Sequence, residues 1–357
     1  MSMKRFYFLI LITLFMSSCN KKKTVIEPSL VTYQSYGLTG HSVYKLSLFG
    51  NFLYACTSDG IYRKSITNFS AQWENIGFKG QELRAMWVFN GNTIVVSTYD
   101  AQLPANSSVY RTQNGGNTWI DFQGNFGGGL KEPMFNIIAD PSNNNILYAT
   151  GANVVAKSIN GGVIWTPVWG AWGGTEPAKI EYVAVNPSNP AEVWAGGQND
   201  LNEALTMKST SSGDLGSWTD YVDVVVNPTS NNSLAFDNTK NYIYTGWDGA
   251  LLRTDDHGIT WSNLINSTEN RSFNSIIIDP SLSGTIYTAG SLDKPLEPQP
   301  IVLFRSKDDG LTWESFEKSQ TGLFGGVLSM EITEDSLNKN IYLGLYKGGV
   351  YVATISK

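Results

Sequence analysis

Three observations in the sequence predict an all-β fold. An eight-residue motif that ends in tryptophan recurs along the chain, short β-branched and aromatic runs recur with it, and no long stretch shows helical periodicity with capping residues. The six tryptophans that end the motif are 46, 46, 53, 43 and 52 residues apart. Spacing of this size is typical of propeller blades. The chain is therefore expected to fold as a β-propeller of four-stranded antiparallel blades.

The tryptophan motif is clearest at residues 306–313, where it reads Ser-Lys-Asp-Asp-Gly-Leu-Thr-Trp. Weaker copies lie at residues 254–261, 112–119 and 158–165 and, in degenerate form, before Trp73 and Trp218. The Asp or Asn oxygen can accept backbone N–H bonds across a tight turn, and Gly supplies the positive φ that the turn needs. The Trp ring then packs beside the turn. Because the motif recurs from unit to unit, it predicts a hairpin turn rather than a ligand site.

This motif resembles the Asp-box, or BNR repeat, of sialidases, sortilin-type receptors, xyloglucanases and the photosystem II assembly-factor family. The resemblance extends over essentially the whole chain that follows the leader described next. It implies a propeller and says little about activity, because the same repeat occurs in enzymes and in binding proteins.

The first 29 residues predict export and a lipid anchor. Lys4 and Arg5 precede an apolar run at residues 6–16, which is too short to span a bilayer permanently, and Ser17-Ser18-Cys19 follows. This ending resembles a bacterial lipobox, which implies a signal peptide at residues 1–18 and a lipid on Cys19. The alternative is an ordinary secretory signal that ends near a cysteine. Residues 19–29, with three consecutive lysines, are expected to form a solvated tether.

The expected location is therefore the bacterial cell envelope, with the lipid in the outer membrane. The sequence leaves open whether the protein faces the periplasm or the outside. Membrane contact is expected only through the N-terminal lipid.

Composition argues against several classes of function. Loss of residues 1–18 would remove two basic and no acidic residues, so the formal net charge would change from −6 to −8, which argues against a nucleic-acid partner. Cys56 lies in an apolar run and is expected to be a small buried residue. The two histidines, His41 and His257, form no cluster, and the sequence has no phosphate loop or nucleotide fingerprint. No metal and no cofactor is expected.

Seven short β-branched and aromatic runs mark one buried strand in each unit. They lie at residues 53–55, 94–97, 147–149, 193–195, 243–245, 286–288 and 341–343. The seventh unit stops without a fourth strand, whereas residues 32–40 read like residues 312–325, an aromatic strand followed by a Gly-Leu loop. Residues 31–36 are therefore expected to complete the last blade and close the ring. The prediction is one seven-bladed, monomeric domain at residues 30–357.

The predicted topology also places candidate binding residues. The tryptophan motif joins the third and fourth strands of a blade, so the loops between the second and third strands and between blades lie at the opposite face. Candidates there for stacking on sugar rings or anchoring a protein are Trp169, Trp172, Trp247, Tyr99, Asp100 and Asp200. The alternative for the tryptophans is that they fill gaps between blades.

The arginines bear on the sialidase resemblance, because sialidase chemistry needs three arginines on the substrate carboxylate. Four arginines recur at one repeat position just before the motif and belong to the blade design: Arg63, Arg111, Arg253 and Arg305. Only Arg84 and Arg271 remain for a central cluster. Sialidase activity is therefore not expected.

Other glycoside hydrolysis needs only two suitably spaced carboxyl groups. The weak catalytic candidates near the axis are Glu181, Glu82, Asp248 and Glu331. Xyloglucanases use a cleft between two propellers, and the residues of this chain supply one. The sequence therefore favours a non-catalytic propeller that binds a protein or glycan partner through its loop face. A glycan-degrading hydrolase, or less readily a lyase, that uses acids of the central funnel is the alternative.

Overall fold

The computed structural model describes residues 31–103, 106–121, 131–173, 179–221, 229–267, 269–292 and 296–357. Every regular element in these ranges is a β-strand, and the strands form seven four-stranded antiparallel sheets. The predicted seven-bladed β-propeller is therefore confirmed. The leader and tether predicted at residues 1–29, with Cys19, lie outside the described residues. No helix in the described ranges is long and apolar enough to cross a membrane.

The strands are numbered along the chain, and the first of them is the outermost strand of the last blade, β1 (Val31–Gly37). The next three blades follow in order from the axis outward. Blade 1 contains β2 (Val43–Phe49), β3 (Phe52–Thr57), β4 (Gly60–Ser65) and β5 (Glu74–Gly77). Blade 2 contains β6 (Glu82–Val88), β7 (Ile94–Tyr99), β8 (Val109–Thr112) and β9 (Ile120–Asp121). Blade 3 contains β10 (Asn136–Asp140), β11 (Asn143–Thr150), β12 (Val154–Ser158) and β13 (Thr166–Gly170).

The remaining blades have the same plan. Blade 4 contains β14 (Lys179–Val185), β15 (Val193–Gln198), β16 (Ala204–Ser209) and β17 (Trp218–Tyr221). Blade 5 contains β18 (Asn231–Asp237), β19 (Tyr242–Trp247), β20 (Ala250–Thr254) and β21 (Ser262–Asn266). Blade 6 contains β22 (Arg271–Ile278), β23 (Ile286–Leu292), β24 (Ile301–Ser306) and β25 (Glu314–Lys318). Blade 7 contains β26 (Val327–Glu334), β27 (Asn338–Leu345), β28 (Gly349–Ser356) and β1.

Each blade is a meander, so its connections alternate between the two ends of the molecule. Connections between the first and second strands and between the third and fourth strands lie at one end. We call this the box end, because it carries the tryptophan motifs at residues 112–119, 158–165, 254–261 and 306–313. The other connections lie at the funnel end, where the cavity described below opens.

Strand β1 closes the ring as predicted. It pairs antiparallel with β28, from Val31 opposite Ile355 to Gly37 opposite Val350. Tyr36 on β1 is 2% exposed, and its hydroxyl donates a hydrogen bond of 3.0 Å to the Ser65 carbonyl in blade 1. The N-terminal strand therefore completes blade 7 and also holds it against blade 1, which leaves β28 without a free edge.

The box turns have the local structure that the motif predicts. In the turn at residues 306–313, the Thr312 N–H and hydroxyl both donate to the Asp308 carboxylate, at 2.8 and 2.6 Å. The Gly310 N–H donates to the Ser306 hydroxyl oxygen at 2.8 Å, and Gly310 has a φ of 88°. The Trp313 indole N–H donates to the Gly310 carbonyl at 2.9 Å. These bonds fix the hairpin between the third and fourth strands.

A cation at the end of the third strand joins each of several blades to the box turn of the next. Lys157 donates to the Ser212 carbonyl at 2.7 Å, Lys208 to the His257 carbonyl at 2.9 Å, and Arg253 to that of Asp309 at 2.8 Å. Each accepting residue has a positive φ and precedes the glycine of its box turn. The repeat position that the sequence analysis assigned to blade design thus has an observed role in packing neighbouring blades.

The hydrophobic core lies between the faces of neighbouring sheets. One cluster, for example, joins Tyr54 and Ile61 of blade 1 to Leu83 and Met86 of blade 2. Cys56 belongs to the same cluster and is fully buried, as predicted, and burial raises the pKa of its thiol. The rigid ring that results fixes the inner strands around the axis.

Candidate functional site

The inner strands share an irregularity at the funnel end. In six blades the register between the first and second strands shifts near the start of the first strand. A β-bulge leaves a residue unpaired and re-aims its side chain. The residues left out of register include Tyr44, Arg84, Glu181, Asn232, Asn274 and Leu328, and all of them line one cavity on the axis. The repeated bulge therefore builds the candidate site.

The axial cavity has a volume of about 370 Å³, which is within the range of small-ligand sites. All seven blades contribute to its wall. Blade 3 supplies Phe135 and Asn136, the second strand of blade 6 adds Ser291, and the loop between the second and third strands of blade 7 adds Tyr346. The wall combines aromatic, cationic and amide side chains, and its two halves differ in chemistry.

Blades 1 to 4 supply a half in which cations contact aromatic rings. The Arg84 guanidinium carbon lies 4.0 Å from the centre of the Tyr44 ring and 4.4 Å from that of Tyr99. Its Nε donates to the Glu82 carboxylate at 2.5 Å. The Lys179 ammonium lies 5.4 Å from the centre of the Phe135 ring. Cation–π contact and the ion pair hold the Arg84 side chain in place at the cavity wall.

Blades 5 to 7 supply a half made of neutral hydrogen-bonding groups. Asn232 donates to the Asp248 carboxylate at 2.8 Å, and Asn274 donates to the Val327 carbonyl at 2.8 Å. Ser275 and Ser291 lie beside them in the wall. Amide and hydroxyl groups fixed in this way present donors and acceptors to a polar ligand.

Two opposite charges lie on the inner strands of blades 1 and 7. Lys45 lines the cavity, and Glu331 lies close enough to interact with it electrostatically. Burial raises the pKa of the Glu331 carboxyl to about 7, although the Lys45 charge and the Leu48 N–H oppose that rise. Burial likewise lowers the pKa of Lys45. Both groups therefore sit where charge is costly.

The four acidic candidates have different environments. Glu181 lines the cavity and accepts a hydrogen bond from Lys179 on its own strand, and Glu82 pairs with Arg84 in the same way. Asp248 accepts hydrogen bonds from Thr229, Asn232 and Ser272, so it ties the connection before blade 5 to blade 6. Its carboxylate is occupied by structural bonds. Glu331 is the acidic candidate with a raised pKa.

Trp247 is not an exposed indole, and it fits the alternative interpretation in which the ring fills a gap between blades. Its side chain is 1% exposed, and its N–H donates to the Thr245 hydroxyl at 3.1 Å. The Trp-Asp-Gly sequence does form a turn, but the ring packs inward between blades 4 and 5, against Ala204 and Leu252. Aromatic area of this size is more stable in the core when such space exists.

Trp169 and Trp172 are half-buried and lie away from the cavity wall. Trp169 belongs to the outermost strand β13 and packs against the cluster shared by blades 3 and 4. Trp172 packs against the cluster shared by blades 2 and 3. Both positions fit the alternative interpretation, in which these rings fill gaps between blades.

The other three binding candidates lie at the funnel end. Tyr99 contacts Arg84 and, with Asp100 and Glu82, lines a second depression of about 430 Å³ beside the main cavity. Hydrogen bonds from the Leu103 N–H, the Asn106 amide and the Gln102 N–H lower the pKa of Asp100, which caps its own loop. Asp200 is exposed at the tip of the loop between β15 and β16.

Sequence reasoning missed most of the cavity wall. Of the two arginines left for a central cluster, Arg84 lies in the cavity, while Arg271 is 3% exposed beside Glu269. Tyr44, Phe135 and Asn274 belong to no motif. The signal that Tyr44 and Asn274 share is the register shift near the start of the inner strand, and it is visible only in the structure.

Metal ligation finds no support in the described part of the chain, where no group of three or more His, Cys, Asp or Glu side chains could hold an ion.

Comparison with known proteins adds information on the fold. No protein-family model matches the chain, and no curated protein matches it. Solved structures do match. A GH74 enzyme from Niastella koreensis aligns with a TM-score of 0.64 and 19% identity over 90% of this chain and 53% of its own. The GH74 xyloglucanase from Xanthomonas campestris aligns with a TM-score of 0.64 and 15% identity, with the same coverage.

YCF48 from Cyanidioschyzon merolae aligns with a TM-score of 0.58 and 13% identity over 90% of this chain and 98% of its own. The extracellular domain of the BT4673 system of B. thetaiotaomicron also shares the fold, with a TM-score of 0.61 and 12% identity. The chain spans about half the length of the GH74 structures, 53% in both. At these identities the likeness shows the β-propeller fold alone.

Proposed function

We propose that this chain is a lipid-anchored cell-envelope protein whose propeller binds a glycan in the axial cavity without cleaving it. The observation that carries the proposal is the ring of bulged residues, which places Tyr44 and Arg84 opposite Asn232 and Asn274 around one opening. Aromatic faces can stack on sugar rings, and fixed amides and a guanidinium can bond sugar hydroxyls.

The environment of the acidic groups supports binding without catalysis. Retaining or inverting hydrolysis needs two carboxyl groups free to act on one bond. Glu82 and Glu181 each pair with a cation on their own strand, and Asp248 accepts three side-chain hydrogen bonds. Structures with this fold include the extracellular domain of the BT4673 system as well as GH74 enzymes, so a glycan-binding role suits the fold without requiring an enzyme.

The test is a glycan array probed with the chain from residue 19 onward, followed by titration of any hit. Arg84→Ala and Asn274→Ala should each weaken binding at least ten-fold, because they remove a polar contact from opposite halves of the cavity. Asp200→Ala, at the same end but outside the cavity, should bind normally. A glycan that binds both cavity variants as tightly as the parent would disprove the proposed site. An array without hits would favour a protein partner.

Hydrolysis is a second candidate because Glu331 lies close to the cavity residue Lys45 and burial raises the pKa of its carboxyl to about 7, a value suited to a general acid near neutral pH. Incubation of each array hit with the chain and mass analysis of the products distinguishes the two functions. If the chain is a hydrolase, shorter glycans form and Glu331→Gln stops their formation while binding persists. Intact glycan after prolonged incubation supports the binding function.

The anchor is tested separately. The mature chain should begin at Cys19 and carry the added mass of a lipid. The Cys19→Ser variant should be absent from the membrane fraction. A mature chain that starts elsewhere, without lipid, would disprove the anchor and leave the cavity proposal untouched.

A further inference from the structure

Exposed aliphatic side chains are concentrated at the box end. Ile259 and Leu311 directly follow the glycine of the box turns in blades 5 and 6, and Leu215 lies two residues after Gly213 in the box turn of blade 4. These side chains are 81%, 73% and 77% exposed. Ile159 in blade 3 and Leu337 in blade 7 are 74% and 71% exposed at the same end. Scattered exposed residues are ordinary on a protein surface, but a concentration at one end indicates an interaction surface.

The funnel end differs sharply from this. Of the exposed large hydrophobic side chains in the described residues, only Leu103, Leu201 and Leu296 lie there, and the others lie at the box end. A general excess of exposed hydrophobic side chains would be seen at both ends, so it does not explain this difference. The box end is the apolar end of the molecule.

The box end carries little charge in blades 1 to 3. Its loops there contain no Asp, Glu, Lys, Arg or His, as residues 50–51, 66–73, 89–93, 113–119, 141–142 and 159–165 show. The later blades do carry charge at this end: Lys157 pairs with Asp214 at 2.8 Å and Lys240 with Asp309 at 2.7 Å, and Asp255, Asp256, Lys307 and Asp308 lie in the turns that hold Ile259 and Leu311. The sector formed by blades 1 to 3 is therefore the part of this surface that loses least when water is removed from it.

The chain enters the propeller at this same end. Val31 pairs with Ile355 beside the end of β28, which runs from the funnel end to the box end. Between Cys19 and Val31 the chain can extend at most about 40 Å, at about 3.3–3.6 Å per residue. A lipid on Cys19 would therefore hold the box end close to a bilayer. The segment also carries Lys21, Lys22 and Lys23, which suit an anionic lipid surface.

We propose that the box end rests on the lipid bilayer and that the axial cavity faces away from it. Leu215, Ile259 and Leu311 enter the interfacial region, where apolar side chains leave water without crossing the membrane. The inference rests on the lipid anchor of the proposed function and extends it. The anchor alone would leave the propeller free to tumble, whereas this surface gives it one orientation.

The test uses the chain from residue 19 onward, which keeps every described residue. Its Cys19 thiol is coupled to a maleimide lipid in vesicles of phosphatidylethanolamine and phosphatidylglycerol, so the result does not depend on lipidation in the cell. Cys56 is fully buried and does not compete for the reagent. A photo-cross-linking residue, p-benzoylphenylalanine, replaces Leu215, Ile259 or Leu311 in turn, and Leu103, Leu201 or Leu296 as the matched set.

Box-end positions should form at least five times more lipid adduct than funnel-end positions, measured by mass after irradiation. Equal yields at the two ends, or adducts mainly at the funnel end, would overturn the proposal. Protein–protein adducts at the box-end positions would also overturn it, because a second copy would then cover this surface.

A pair of triple variants tests whether the aliphatic side chains cause the orientation. With the cross-linker at position 337, Leu215→Ser/Ile259→Ser/Leu311→Ser should reduce the lipid adduct at least five-fold. The control, Leu103→Ser/Leu201→Ser/Leu296→Ser, should leave it unchanged. An unchanged yield in the first variant would show that these side chains do not hold the protein on the bilayer. Because the anchor here is synthetic, that failure is distinct from an absence of lipid on the natural chain.

Discussion

Glycines in the box turns meet two separate demands, backbone conformation and space. Gly258 has a φ of 90°, and a Cβ atom there would lie 2.4 Å from the Trp194 ring of the preceding blade. Gly216 has a φ of 77°, but a Cβ atom there would have no heavy atom within 4 Å. The two positions allow the cost of backbone strain to be measured apart from the cost of overpacking.

Gly216→Ala should lower the free energy of unfolding by about 1–2 kcal/mol, the cost of a left-handed conformation for a residue with a Cβ atom. Gly258→Ala should cost about 1–3 kcal/mol more, because the added methyl group collides with the ring. Denaturant unfolding of both variants checks the difference. Equal costs would mean that Trp194 moves aside freely and that the close blade contact adds no stability.

Glu331 predicts a particular dependence of stability on pH. Burial raises the pKa of its carboxyl from 4.5 to about 7 in the folded protein. Between pH 4.5 and 7, the folded protein therefore keeps a proton on Glu331 that the unfolded chain has already released. This group therefore makes the free energy of unfolding fall as pH rises from about 4.5 to 7, and its contribution is constant above that. The nearby charge of Lys45 opposes the shift without reversing it.

Glu331→Gln should remove this slope. Thermal unfolding between pH 5 and 7 should then vary less with pH than in the parent, while Glu203→Gln, in an exposed loop, should keep the parent slope. A variant with an undiminished slope would show that Glu331 is ionised throughout this range. The same result would weaken the hydrolase alternative, which needs a protonated carboxyl near neutral pH.

Between elements, the cations at the ends of the third strands differ in whether they bond to the next blade or pair within their own blade. Arg253 donates to the Asp309 carbonyl in the next blade and lies 4.3 Å from the Tyr242 ring, whereas Arg63 pairs with the exposed Glu74 of its own blade. Arg253→Leu should cost about 1.5–3 kcal/mol, the range for a hydrogen bond from a charged group. Arg63→Leu should cost at most about 1 kcal/mol, as for a surface pair. Calorimetry that ranks the two in the opposite order would contradict a stabilising role for the hydrogen bond from Arg253 to the next blade.

Strand β1 is the element on which closure depends. A chain that begins at residue 30 should match the parent in stability, because it keeps β1 whole. A chain that begins at residue 38 loses the Tyr36 core contact, worth about 3–5 kcal/mol for a large aromatic ring, and exposes the edge of β28. It should unfold at lower temperature and associate through that edge. Calorimetry measures the unfolding temperature and size-exclusion chromatography measures association. A stable monomer that begins at residue 38 would show that the pairing of β1 with β28 is dispensable.

At the scale of the whole molecule, the sequence predicted the architecture but little of the cavity. Repetition made the blades visible, since residues 306–313 and their copies mark the same turn several times, and the likeness between residues 32–40 and 312–325 revealed the closure. The wall of the cavity consists of positions at which the residue type differs from one blade to the next. Tyr44, Arg84 and Asn274 differ from one another because each faces the axis, and only the bulge that turns them inward shows that they belong together.

Trp247 illustrates a different limit of the sequence, because a residue that resembles a surface site is buried. A tryptophan next to Asp-Gly in a connecting loop has the composition of a surface site, and its sequence neighbours do not show that the ring folds back between two blades. Burial of one side chain depends on the spacing of whole sheets. Local sequence therefore identifies turns reliably and cannot determine which side of a turn faces a neighbouring blade.

The closed ring yields a final prediction about chain connectivity. Because Val31 lies opposite Ile355, a short linker can join residue 357 to residue 30 as a hairpin between β28 and β1, and the chain can be opened elsewhere. Opening it between residues 214 and 215, in the box-end turn of blade 4, leaves that blade shared by both new termini. Opening it between residues 79 and 80 places the break between blades 1 and 2 and leaves every blade covalently whole.

The permutant opened at 214/215 should keep a transition close to that of the parent, because backbone hydrogen bonds across one sheet still bind the first strand to the last blade. The permutant opened at 79/80 should melt at lower temperature and less steeply, since only side-chain packing then joins the first blade to the last. Calorimetry and the denaturant dependence of unfolding measure both properties. Equal transitions would mean that packing between blades alone holds the ring, and the pairing of β1 with β28 in blade 7 would then have no energetic role.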